Sequence, residues 1–209
     1  MSTVALVVIA KAPAPGRSKT RLCPPCSPDQ AAELASAALA DTLAAVAATP
    51  ARQRLLALDG ELDGPASPGV EVISQVGDGL GERLGHALLA AGGPALVVGM
   101  DTPQLTPYLL TQAAARLARP GVDAVVGPAF DGGYWTIGMR SPDAAAFEGV
   151  PMSSSETGAV QVRRLRALGL RVAALAPQRD VDTIADARAV ARAFPGTVFA
   201  RTLLAQGLG

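Results

Sequence analysis

The chain has 209 residues, its 18 Lys and Arg balance its 18 Asp and Glu to no formal net charge, and 49% of its residues are hydrophobic. That is ample for the core of one domain spanning residues 1–209, and a neutral balance disfavours nucleic acid, which needs a basic surface. Aromatic residues, at 3%, also leave too few rings to stack bases along a single strand.

The first element in the chain, "VALVVIA" (4–10), is an apolar run rich in Val and Ile and reads as a buried strand. It has no cationic segment before it and runs into Lys11 instead of a small-residue cleavage site, and no other apolar stretch reaches the length of a bilayer span. The expectation is a cytoplasmic protein without a membrane span. "KAPAPGRSKTRL" (11–22) follows, with two prolines, a glycine and four cations, and such a segment continues neither strand nor helix. The cations therefore sit on a loop at a strand's end, where open α/β sheets bind ligands, and suggest a phosphate site. Next, "CPPC" places Cys23 and Cys26 near a helix start. A redox pair is one reading, but the pair follows a long loop instead of opening a helix straight off the strand. A zinc site needs two more ligands, and the only histidine, His86, is far off in sequence.

Strands and helices then alternate. Ser27 as N-cap and Pro28 at the first helical position predict a helix over 27–48. Strands are expected at 54–60 and 69–75, separated by a turn-rich connection, then a helix at 80–91 and a strand at 94–99. A second cap-then-Pro start predicts a helix over 106–118; strands follow at 122–129 and 132–139, a helix at 153–169, a strand at 170–176 and a helix at 184–194. Such alternation predicts an α/β fold, a mostly parallel sheet with helices on both faces.

Acidic residues fall where strands end. Asp101 in "VVGMDTP" lies beyond one strand, and Asp180 and Asp182 in "QRDVDT" lie between the last strand and the last helix. Mg2+ (or Mn2+) takes oxygen ligands, one or two carboxylates at a time, and completes its shell with water and substrate phosphate. Asp101 and Asp182 are the candidate metal ligands. Each also has a plain structural reading: Asp101 as a turn residue before Pro103, Asp182 as the N-cap of the last helix.

The motifs "KAPAPGRSKTRL", "GDGLGERL", "VVGMDTPQL", "GPAFDGGYWTIG" and "DVDT" together resemble the small bacterial glycosyltransferase-A-fold transferases that include glycosyltransferases assigned to arsenosugar biosynthesis. That family is similar in turn to the phospholactate and phosphoenolpyruvate guanylyltransferases. The resemblance runs from Val4 to about Ala191 and implies the nucleotide-diphospho-sugar transferase fold, a Rossmann-like sheet of roughly seven strands. The sequence departs from the pattern at Trp135, where a second Tyr is usual, and at Met152, where a Trp often follows the proline.

Lys11, Lys19 and Arg21, with Thr20 beside them, are expected to bind the phosphates of a nucleotide or nucleotide-sugar donor; Gly16 lets the backbone approach, and Pro15, with Pro13, keeps the loop ordered. Asp131 and Arg83 are the candidate catalytic residues, although an Arg on a helix's solvent face and an Asp-Gly turn are the bland readings of the two. Gly132, Gly133 and Tyr134 are expected to line the site of a small-molecule acceptor, with either Tyr134 or Trp135 in the core. Two chemistries stay open: glycosyl transfer from a nucleotide-diphospho-sugar, favoured by the resemblance, and nucleotidyl transfer with release of pyrophosphate, which the Lys-Thr-Arg loop suits. A third reading, from another class, is a non-catalytic nucleotide-binding or CPPC redox module.

Overall fold

The structure, a computed structural model, describes residues 3–62, 64 and 66–209. Two residues of the expected connection between the second and third strands, 63 and 65, lie outside the described residues. The elements run β1 (Ala5–Lys11), α1 (Pro28–Ala48), β2 (Arg54–Asp59), β3 (Glu71–Ser74), α2 (Leu80–Ala90), β4 (Ala95–Gly99), α3 (Pro107–Ala118), β5 (Ala124–Pro128), β6 (Tyr134–Met139), α4 (Thr157–Ala167), β7 (Val172–Ala174), α5 (Ile184–Ala193) and α6 (Val198–Ala205), with short 3-10 turns at Thr20–Leu22 and Ala144–Phe147.

Local chemistry accounts for most boundaries. Ser27 opens α1 with a reciprocal capping box: its Oγ accepts from Gln30 N at 3.2 Å, and Gln30 Oε1 accepts from Ser27 N at 2.8 Å. Thr106 caps α3 by its side chain alone, Oγ1 accepting from Leu109 N at 3.2 Å. The last helix, α6, was not expected, although Thr197 after Pro195 and Gly196 is a start signal. It is held from a distance. Both oxygens of Asp41 on α1 accept its first free amides, Val198 N and Phe199 N, each at 2.8 Å.

The seven strands form one sheet in the order β3-β2-β1-β4-β6-β5-β7. The expectation of a mostly parallel sheet needs correction in one respect: the sheet is mixed, because β6 is antiparallel to both neighbours, β4 and β5. The reason is the short connection at 129–133, since a link of that length makes a hairpin and a parallel return needs a crossover of a dozen or more residues.

Side-chain alternation sends β1 into two cores. Leu6, Val8 and Ala10 pack with Leu39 of α1 and Leu110 and Leu117 of α3, whereas Ala5 and Val7 pack with Leu84 and Leu88 of α2 and Leu165 of α4. A third cluster joins Leu22, Cys26 and Leu34 to Val190 of α5 and to Phe199 and Leu203 of α6. Among the described residues α1 is the one helix long and apolar enough to cross a membrane, which the sequence reading did not anticipate. Here Ala35 and Val46 are fully buried in the first of these clusters, and Leu34 and Ala38 in the third. No larger role follows from its length.

Trp135 lies in the core, 1% exposed, with Nε1 donating to Ala176 O at 3.0 Å. Trp135→Ala should destabilise the fold by about 3–5 kcal/mol, the range for removing a buried aromatic side chain, as read by urea denaturation.

Candidate active site

A cleft of about 690 Å³ opens along the carboxyl ends of β1 and β4. Because β6 runs the other way, its first residues lie at that same edge, with Thr136 paired to Val98 near the end of β4. The segment Asp131–Trp135 is thereby brought to the cleft from a hairpin.

Three long-range contacts join the turn after β4 to the turn before α5. Val181 N donates to Asp101 O at 2.9 Å, Thr102 Oγ1 donates to Asp180 Oδ1 at 3.0 Å, and Gln104 Nε2 donates to Arg179 O at 2.7 Å. They set Asp101 and Asp182 beside one another, some eighty positions apart in sequence, and both line the cleft. Asp182 is not the cap of α5. Thr183 is, accepting from Asp186 N at 3.3 Å in a second capping box, so the Asp182 carboxylate is free for other work.

The cationic loop closes on this pair. Lys19 Nζ is 2.6 Å from Asp101 Oδ1 and 3.9 Å from Asp182 Oδ1, and it also donates to Val181 O; Arg21 Nη1 lies 3.1 Å from Asp182 Oδ2. Lys11, Arg17, Lys19, Thr20 and Arg21 line an adjoining hollow of about 250 Å³ that also touches Asp101 and Asp182. Pro15 and Gly16, expected in the phosphate site, line neither space: Pro15 faces a shallow depression beside α1 and α6. Gly16 has a φ of 71° with open space around it, the left-handed conformation that the turn requires.

Asp180 was named with Asp182 in the sequence but not taken as a candidate ligand. It too lines the cleft. Burial pushes its carboxyl up to about 7, helped by the negative charges of Asp101 and Asp131 and opposed by the Thr102 hydroxyl and Lys19. No local pattern announces this, since the burial comes from neighbours far along the chain.

Arg83 is not a free surface cation. Its Nη1 pairs with Asp59 Oδ2 at 2.8 Å and its Nε donates to Gly77 O at 3.0 Å, on the β1 and β2 side of the cleft. Asp131 stands on the other side of β4, so these two expected catalytic residues do not form a pair. Asp131 Oδ1 accepts from Gly133 N at 2.8 Å, which makes the expected Asp-Gly turn, yet Asp131 and Gly133 both line the cleft. Gly132 has φ 93°, and a Cβ there would overlap the carbonyl of Ser155. The close approach of the chain at Ser155 is itself a reason for glycine at this position. Tyr134 lines the cleft; its hydroxyl faces Gln161 Oε1 at 3.4 Å, and burial raises its pKa, keeping the phenol neutral. Of the two aromatics Trp135 is the core residue.

The cysteines are both free, Cys23 half-buried and Cys26 buried. Burial pushes the Cys26 thiol up, the reverse of the shift that makes a thiol reactive. His86 is exposed and sits on Val76 O at 2.9 Å.

The chain belongs to a bacterial protein family: residues 34–154, more than half of it, match the family described as "Uncharacterized protein conserved in bacteria (DUF2064)". It is also similar to a crystal structure from Desulfovibrio desulfuricans G20, provisionally named a nucleotide-diphospho-sugar transferase, with 30% identity, TM-score 0.89, and coverage of 100% of this chain and 97% of that one. At the level of the superfamily the protein is thus a transferase of the nucleotide-diphospho-sugar transferase type, Rossmann-like and nucleotide-binding. More distant likenesses, which speak to fold alone, are a CMP:2-keto-3-deoxy-manno-octonic acid synthetase complexed with CTP (13% identity, TM-score 0.61, 93% of this chain and 99% of that one) and a nucleotidyl transferase from Methanothermobacter thermautotroptrophicus (16%, 0.60, 93% and 99%). No curated protein matches the sequence.

The buried carboxyl of Asp180 makes a pH dependence. A carboxyl raised from 3.8 to about 7 holds its proton more tightly in the folded chain than in the unfolded one, so it lowers stability as pH rises through that interval. Asp180→Asn keeps an acceptor for Thr102 and carries no charge. Urea denaturation at pH 5 and pH 8 should show the parent losing stability relative to this variant across the interval, with the gap constant above it.

Proposed function

We propose that the protein transfers a glycosyl group from a nucleotide-diphospho-sugar to a small-molecule acceptor, with Mg2+ or Mn2+ at Asp101 and Asp182. The observation that carries this reading is the meeting of the two carboxylates with Lys19 and Arg21 at one edge of the sheet. Acid and base so arranged suit a metal-bound diphosphate.

The donor set suits such an ion. Its atoms are carboxylate oxygens, and a cation, the Lys19 ammonium, already stands between Asp101 and Asp182. Among the described residues no group of three or more His, Cys, Asp or Glu forms a ready-made metal cage, in keeping with a cation that takes one or two carboxylates and fills its shell from substrate phosphate and water. Once bound, it screens the negative charge that grows on the departing nucleoside diphosphate. Arg21, largely exposed beside Asp182, and Lys11 meet the phosphates from the loop side. Asp131 accepts the proton of the acceptor hydroxyl as its oxygen attacks the anomeric carbon and the bond to the diphosphate breaks. Tyr134 and Gly133 shape the acceptor's side of the cleft, and the whole chain acts as one transferase unit.

A specific observation favours nucleotidyl transfer as a second reading. The hollow of about 250 Å³ beyond Asp101 is lined by Lys11, Arg17, Lys19 and Arg21, a place for the pyrophosphate that leaves when an acceptor attacks the α-phosphorus of a nucleoside triphosphate.

Two measurements test these readings. Asp101→Asn and Asp182→Asn should each remove the metal-dependent part of nucleotide binding in calorimetry while nearly preserving shape; wild-type binding of Mg2+-nucleotide by both variants would sink the metal assignment. Arg21→Ala should weaken nucleotide binding by about 1.5–3 kcal/mol, the range for hydrogen bonds to charged groups, and change stability by no more than about 0.5 kcal/mol. Under glycosyl transfer diphosphate binds more tightly than triphosphate and the variant weakens both alike. Tighter triphosphate binding with a selective loss in the variant would favour nucleotidyl transfer.

A further inference from the structure

The sequence contains two lysines, Lys11 and Lys19, both on the cationic loop; every other cationic side chain is arginine. Lys19 is the deeper one. Its side chain is 8% exposed, less than those of the carboxylates it serves, Asp101 at 45% and Asp182 at 33%. Its backbone is left-handed, φ 50° and ψ 36°, a conformation that residues other than glycine adopt rarely and that surrounding contacts must hold. A compact ammonium on a flexible stem fits between two carboxylates where the planar fork of an arginine does not.

We propose that Lys19 is a tethered counter-cation of the Asp101–Asp182 pair, that it gives way to a divalent metal ion, and that its released ammonium then meets the nucleotide phosphate. The inference rests on the metal reading above and adds a coupling to it. Two neighbouring carboxylates without a cation repel one another, so one cation is exchanged for another and the pair is never left bare. The hollow beside the pair, lined by Arg17, Ser18, Thr20 and Arg21, gives the displaced ammonium a place close to phosphate. Metal alone must compete with Lys19 and binds weakly; nucleotide accepts the ammonium and removes the competition. Each ligand therefore raises the affinity for the other by the same factor.

Two readouts test this without any activity assay. In calorimetry with MnCl2 alone, Lys19→Met should bind Mn2+ about tenfold or more tightly than the parent, within the usual span of coupling between sites, and the cooperativity between Mn2+ and GDP or UDP should fall by a like factor, leaving what direct contact of metal with phosphate supplies. In the parent, reductive methylation followed by mass spectrometry should find Lys19 slow beside Lys11, faster on addition of Mn2+, and slow again with Mn2+ and the nucleotide together. The methylation decides the matter if Lys19→Met does not fold. Unchanged Mn2+ affinity in Lys19→Met, or Lys19 methylation indifferent to Mn2+, overturns the exchange while leaving the metal reading intact, provided Asp101→Asn loses Mn2+. If the parent binds no Mn2+ even with nucleotide present, the metal reading falls and the exchange falls with it.

Discussion

The amide of Val181 donating to the carbonyl of Asp101 at 2.9 Å is the contact on which the candidate site depends. It ties the turn after β4 to the turn before α5, and the Thr102–Asp180 and Gln104–Arg179 bonds continue the contact from there. The central tie is backbone to backbone and neither Asp101 nor Asp182 contributes its carboxylate to the three bonds, so the spacing of these carboxylates follows from chain geometry and not from their charges. Carboxylates set close together by backbone repel one another, and the fold answers with Lys19, which bridges Asp101 and Asp182 and donates to the carbonyl of Val181, the same residue whose amide makes the tie. The strain of a left-handed Lys19 backbone is offset by that ion-pair cluster.

The reversed strand has the second-largest consequence. A fully parallel sheet would have carried the segment before β6 to the opposite edge, away from Asp101. The hairpin at 129–133 brings Asp131, Gly133 and Tyr134 to the ligand edge instead, and Gly132 lets the segment pack on Ser155 without a Cβ in the way. The cleft therefore has two unlike halves. On one side Arg83 is neutralised by Asp59; on the other, Asp131 and Asp180 stand near hydroxyl-bearing side chains of residues 153–155.

Much of this was legible in the chain. Ser27 and Thr106 each stand before a proline, and those caps placed α1 and α3 to within a residue. Apolar runs placed β1 and β4, and the Pro- and Gly-rich cationic loop pointed to the edge of the sheet where the cleft lies. The assignments that missed are those in which a distant partner decides. Helix α6 depends on Asp41 of α1 for its first amides. Asp182 read equally well as a helix cap until Thr183 took that part, and the close approach of Ser155 to Gly132 was not foreseen.

The sequence by itself determined most of the elements, their order and the types of group at the strand ends, because hydrophobic period, capping and turn chemistry act over a few residues. Only the tertiary structure decided which acids share a site, that Asp180 is buried enough to hold its proton to about pH 7, and that Lys19 faces carboxylates before any phosphate. Those outcomes turn on distances and desolvation between groups some eighty to one hundred and sixty residues apart. Coulomb energy and burial have no sequence range, so nothing local records them.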